Sequence, residues 1–147
     1  MKKLKTVVGA SFGLALFHVT VAWASEQYLC EETAGGGVYY EEQPKRWKSA
    51  IFRPNGKYIV SKPLSDSFYS GKQFVVTKLG ERDPAYTCSQ PFSEHGFLIC
   101  EGAGEFRMNS RTLRFQVYYF LGYVIGDVEL DAPGNTPSVM IGVCSPF

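Results

Sequence analysis

The alternation of apolar and polar positions is clearest between Thr112 and Ile125. Leu113, Phe115, Val117, Tyr119 and Leu121 fall on one face, and Arg114, Gln116, Tyr118 and Phe120 on the other. A period of two predicts a strand with one buried and one wet face. The wet face turns aromatic towards Tyr123, and Gly122 and Gly126 predict a bend or bulge there. Shorter runs repeat the period. Gln73–Leu79 sets Phe74, Val76 and Lys78 against Val75, Thr77 and Leu79, and Ser138–Cys144 aligns Val139, Ile141 and Val143. Ala85–Gln90 and Phe97–Glu101 read as strands around a polar loop, Pro91–Gly96. Glu105–Met108 follows a turn at Glu101–Gly104, and Asn109-Ser110 and Asp131–Pro137 mark further turns or loops. Within Ile51–Val60, Asn55-Gly56 sits between β-formers and predicts a tight hairpin, with Pro54 beside the turn.

Little else is expected to be helical. Pro44–Ala50 suits a single turn with Pro44 at its first position, and Gly35-Gly36-Gly37 reads as a flexible turn. About eight strands at 8–14-residue spacing predict an all-β fold, either an antiparallel barrel or a β-sandwich. The meander from Ala85 to Ile125 favours an up-and-down barrel, since neighbours in sequence become neighbours in space.

Residues 1–24 follow a different pattern. Lys2, Lys3 and Lys5 precede an apolar run from Val7 to Ala24 that ends Ala22-Trp23-Ala24, as an export signal does. No basic stop-transfer cluster follows, and Cys30 is too far on for a lipid-anchored cysteine. The expectation is a cleaved signal over 1–24, a single barrel domain over 25–147, and a periplasmic or secreted location with no membrane span in the mature chain. Without the three leader lysines, twelve basic residues face fourteen acidic ones, a net of about −2. Nucleic acid is excluded as a partner, because such binders carry a basic stripe and only Lys45-Arg46-Trp47-Lys48 approaches one.

Cys30, Cys88, Cys100 and Cys144 all follow the leader. An even count in an exported domain predicts two disulfides. The preferred pairing is Cys30–Cys144, tying opening strand to closing strand, with Cys88–Cys100 across a hairpin. Cys30–Cys88 with Cys100–Cys144 is the alternative. The close pairs that zinc sites use are absent, so no metal is expected.

Candidate chemistry is sparse. His95, in Ser93-Glu94-His95-Gly96, reads as a solvated loop residue rather than a general base. Glu31-Glu32, Glu41-Glu42 and Asp127/Glu129/Asp131 read as edge charges, and Gly102-Ala103-Gly104 lacks the ending of a phosphate loop. No catalytic residue and no cofactor are expected. The compositional oddity is aromatic: nine tyrosines and eleven phenylalanines. Tyr118, Phe120 and Tyr123 form a candidate exposed strip for a partner or ligand.

The stretch Gly104-Glu105-Phe106, Leu113-Arg114-Phe115, Gly122-Tyr123, Thr136-Pro137 and Ile141-Gly142-Val143-Cys144-Ser145 resembles uncharacterised small exported proteins of Gram-negative bacteria. An exported barrel of this size opening Tyr28-Leu29-Cys30 is also similar to the periplasmic C-type lysozyme inhibitors. That resemblance implies a small barrel that plugs an enzyme cleft with loop serine and lysine residues. Ser67, Tyr69, Ser70 and Lys72 are the nearest counterparts, although the motif order differs and this chain has two more cysteines. Together these features predict a non-catalytic binding protein, an inhibitor or binder of a cell-envelope enzyme. The alternatives are a lipocalin-like carrier of a small apolar ligand and a structural subunit of an envelope assembly.

Overall fold

A computed structural model describes residues 26–124 and 136–147. The leader over 1–24, the cluster Asp127/Glu129/Asp131, Ile125 and Gly126 lie outside the described residues. The described strands are β1 (Tyr28–Glu41), β2 (Arg46–Phe52), β3 (Lys57–Ser61), β4 (Phe74–Lys78), β5 (Tyr86–Cys88), β6 (Phe97–Gly102), β7 (Glu105–Asn109), β8 (Arg114–Tyr119) and β9 (Ser138–Pro146), with a short helix α1 (Leu121–Val124) after β8. All pairings are antiparallel, and β9 returns to β1, so the sheet closes on itself.

The nine strands make an eight-position, up-and-down barrel. β2 and β3 lie end to end along one edge of β1: Gly35 faces Phe52, and Glu31 faces Lys57. Three β1 residues therefore oppose four residues, Arg53–Gly56, and β1 also shifts register against β9 between Glu32 and Ala34. The extra residues bend β1 there, as bulges do. The Asn55-Gly56 hairpin expected from sequence is thus not formed. Pro54 has no N–H for the ladder. The amides of Asn55 and Gly56 instead donate to the Glu32 carboxylate at 3.1 and 2.7 Å, and Tyr58 OH donates to its other oxygen at 2.8 Å.

The true hairpin joins β1 to β2 through Glu42–Lys45, so Pro44–Ala50 runs from turn into strand and forms no helical turn. Gly35, Gly36 and Gly37 are not a turn either; they pair with β2 on one side and β9 on the other. Here a missing side chain matters: a Cβ on Gly37 would meet the Pro137 carbonyl, Ser138 Cα at 2.9 Å and the Phe52 ring at 3.0 Å. The long strand expected from Thr112 stops at Tyr119. Before it, Leu113 adopts a positive φ of 56° inside a turn, and after it the chain enters α1.

Inward-facing positions fill the barrel with side chains. Phe106 and Phe115 stack with centroids 5.3 Å apart, and Tyr58 lies edge-on to both at 5.9 and 5.8 Å. Leu98, Met108, Val60, Val76 and Phe74, each at most 1 % exposed, complete the core. Burying each such aliphatic or aromatic side chain contributes roughly 1.5–3 kcal/mol.

Two disulfides, Cys30–Cys144 and Cys88–Cys100, join directly opposed residues in this core. The first sits at the β1/β9 closure. The second continues the register of β5 and β6, whose ladder holds only Tyr86–Gly102 and Thr87–Glu101 and is the shortest in the barrel. The bonds therefore reinforce the closure and the least hydrogen-bonded junction.

Candidate functional site

The expected binding residues do not form one site. The strand directions place Ser67, Tyr69, Ser70 and Lys72, between β3 and β4, at the barrel end that holds Tyr28 and Pro146. Tyr118, Phe120 and Tyr123 lie towards the other end. The 62–73 loop is built from successive turns: Ser67 N donates to Leu64 O, Ser70 N to Ser67 O and Lys72 N to Tyr69 O. Ser67 Oγ also donates to Leu64 O at 2.8 Å, and Lys72 Nζ donates to Ser89 Oγ at 3.0 Å. Both polar groups are thereby engaged within the fold. The group this loop presents is Phe68, 95 % exposed and edge-on to Tyr69.

His95 lies in an exposed loop with Nε2 3.3 Å from Glu94 Oε1. No cluster of three or more His, Cys, Asp or Glu side chains placed to hold a metal occurs among the described residues. Tyr58 is the strongly perturbed titrating group. Burial first, and its hydrogen bond to Glu32 second, push its phenol well above the ordinary tyrosine value. Its partners hold the Arg53–Gly56 bulge, so this perturbation belongs to the fold.

A groove of about 560 Å³ opens instead on the outer wall of β6–β9, beside Thr33 of β1. The register derives it. On β6, Leu98 and Cys100 point inward, so Phe97 and Ile99 point out; on β9, Gly142 and Cys144 point inward, so Ile141 and Val143 point out. The period of two thus puts four large apolar side chains on the solvent face, each about half exposed. Arg107 and Gln116 form the cross-strand row between Ile99 and Ile141. Asn109 and Arg114 form the row between Phe97 and Val143.

The two arginines differ. Arg107 is ion-paired with Glu105, which holds its guanidinium protonated, and lies 5.7 Å over the Tyr118 ring. Arg114 has no ion-pair partner among the described residues.

A second cleft of about 420 Å³ adjoins this wall, lined by Val38, Tyr118, Tyr119, Phe120, Tyr123 and Val139 among others. Here the expected aromatic strip is assembled: Phe120 and Tyr123 are more than half exposed, and Tyr123 packs edge-on against Trp47, which in turn contacts Tyr40. The sequence pattern singles out Tyr118, Phe120 and Tyr123 but misses the groove. The missed signal is Cys144, whose inward disulfide fixes Val139, Ile141 and Val143 in the outward phase.

Compared with protein-family models, curated proteins and solved structures, the chain matches none of them. No helix among the described residues is long and apolar enough to cross a membrane, which says nothing of strands. A closed, disulfide-bonded all-β barrel bearing an apolar groove is consistent with a ligand-binding or carrier protein in general.

Proposed function

We propose that this protein binds a small apolar ligand and does so in the wall groove between β6 and β9, without catalysing a reaction on it. One observation carries the reading. Phe97 and Ile99 on one side and Ile141 and Val143 on the other leave apolar surface in water on both flanks of a concave volume of about 560 Å³, within the ordinary size of small-molecule sites, with the Arg107/Gln116 and Asn109/Arg114 rows between them. Exposed apolar surface around a concavity marks binding surfaces. Export to the periplasm or beyond belongs to the same proposal and rests on the leader-like pattern of 1–24 and the two cystines.

The test is titration with an uncharged fluorescent probe such as N-phenyl-1-naphthylamine. Saturable one-site binding in the micromolar range is expected. Ile141→Glu, at an exposed position that does not enter the core, should weaken it at least tenfold. Absence of saturable binding, or an unchanged Kd in the variant, refutes the proposal.

A second reading, inhibition of a cell-envelope enzyme through the 62–73 loop, draws on Phe68 standing free at its surface. Titration against a lysozyme panel tests it, and no inhibition at micromolar protein removes it.

A further inference from the structure

Resting on the groove as the ligand site, we infer that its ligand is a monomeric, single-chain amphiphile with one negative charge. The headgroup sits on Arg114 and the chain runs along the β8/β9 ladder. Three outward pairs line this ladder in succession: Arg114 opposite Val143, Gln116 opposite Ile141, and Tyr118 opposite Val139. The first two pairs line the groove, and the third lines the aromatic cleft, where Phe120 continues it. Groove and cleft therefore lie end to end along one track, with the Arg107 guanidinium over the Tyr118 ring where they meet. From Arg114 to Tyr118 it spans roughly 14 Å at ~3.4 Å per residue. A rounded ligand would occupy one concavity, whereas a linear chain fits the run of both.

Among the described residues that line it, the track carries an unpaired charge at one end only. Among the described residues, those lining the cleft carry no charged side chain. At the other end stands Arg114. Its row crosses Val143 to reach Glu31, and that carboxylate is occupied by Lys57 Nζ at 2.7 Å. Arg107 is neutralised by Glu105. Among the described residues that line the groove, the surplus charge is thus a single guanidinium beside aliphatic surface, and its planar fork suits a carboxylate or sulfate in two-point contact. An anionic membrane would call for a different surface, because lipid-binding patches gather four to eight basic residues. One unpaired cation at the head of an apolar track suits one free amphiphile.

The experiment measures binding of laurate, 1-dodecanol and dodecyltrimethylammonium to the whole protein by calorimetry, each below its aggregation threshold. Laurate should bind about tenfold tighter than dodecanol, as a charge-assisted hydrogen bond allows, and the cationic chain weakest. Arg114→Gln, at an exposed position, should bring laurate to the dodecanol level and leave dodecanol unchanged. Arg82→Gln, in the distant β4–β5 turn, should keep the laurate preference. Equal binding of laurate and dodecanol, or a preference that survives Arg114→Gln, overturns the headgroup inference while leaving the groove intact. Failure of every chain to bind overturns the groove reading along with it. Binding to phosphatidylglycerol vesicles without binding of laurate replaces the monomer with a membrane surface.

Discussion

Removing the two disulfides separately should cost unequal amounts. Cys30 and Cys144 are 114 residues apart, whereas Cys88 and Cys100 are 12 apart. In the chain-entropy model the longer loop corresponds to about 4.8 kcal/mol and the shorter to about 2.9 kcal/mol. Native packing barely discriminates between them, since all four cysteines are at most 4 % exposed and each pair bridges opposed inward positions. The cavity left by changing both partners to alanine is therefore similar, and the gap of about 2 kcal/mol reports on the unfolded chain. The perturbation is Cys30→Ala with Cys144→Ala against Cys88→Ala with Cys100→Ala, both in non-reducing urea titrations. Stability is taken as the product of slope and midpoint. A domain of ordinary stability has about 5–15 kcal/mol in hand, so the first variant should sit close to its unfolding limit and the second well within it. Equal costs, or a larger cost for Cys88/Cys100, would refute loop closure as the source. The second outcome would show that the short β5/β6 ladder depends on its cystine in the native state.

Tyr58→Phe removes a hydrogen bond to a carboxylate and should cost about 1.5–3 kcal/mol at neutral pH. Because the Tyr58 phenol is raised in the fold, its stabilisation is complete below the unfolded value near pH ~10. It declines as pH climbs beyond that towards the folded value. Urea midpoints from pH 8 to 11 should therefore fall in the wild type and fall less steeply in the variant; parallel curves would exclude Tyr58 as a source of the decline. Gly37→Ala, pressed on the Pro137 carbonyl and Phe52, should lose about 1–3 kcal/mol by thermal unfolding. Gly71→Ala has nothing within 4 Å and no positive φ, so it should gain about 0.4–1 kcal/mol. A neutral Gly37→Ala would sink the close-approach argument.

The barrel was legible where side chains report the period directly. Phe74, Val76, Phe106, Met108, Phe115 and Val117 alternate with outward residues and are buried. Legibility failed where the cause lies elsewhere in the chain. Gly35–Gly37 have no side chains to show a period, and they are strand because β2 and β9 pair with their backbone. Asn55-Gly56 has strong local turn propensity, yet the carboxylate of Glu32, 24 residues before Gly56, captures both amides and keeps the segment along β1. For the candidate site, Tyr118, Phe120 and Tyr123 stood out because two adjacent aromatic faces cannot both be interior. Ile141 and Val143 did not, because alternation marks a face without saying which side is water.

The Cys30–Cys144 bond also decides how the barrel responds to a mechanical pull. Tyr28 lies opposite Pro146 and Cys30 opposite Cys144, so the two ends of the domain leave side by side. A load applied between Gln27 and Phe147 travels a few residues along β1, crosses one covalent bond and leaves along β9. The residues from 31 to 143, with the core, the groove and the aromatic cleft, lie outside that path. Tension on either end leaves the groove and the cleft slack, and the sheet begins to bear force only once the sulfurs part.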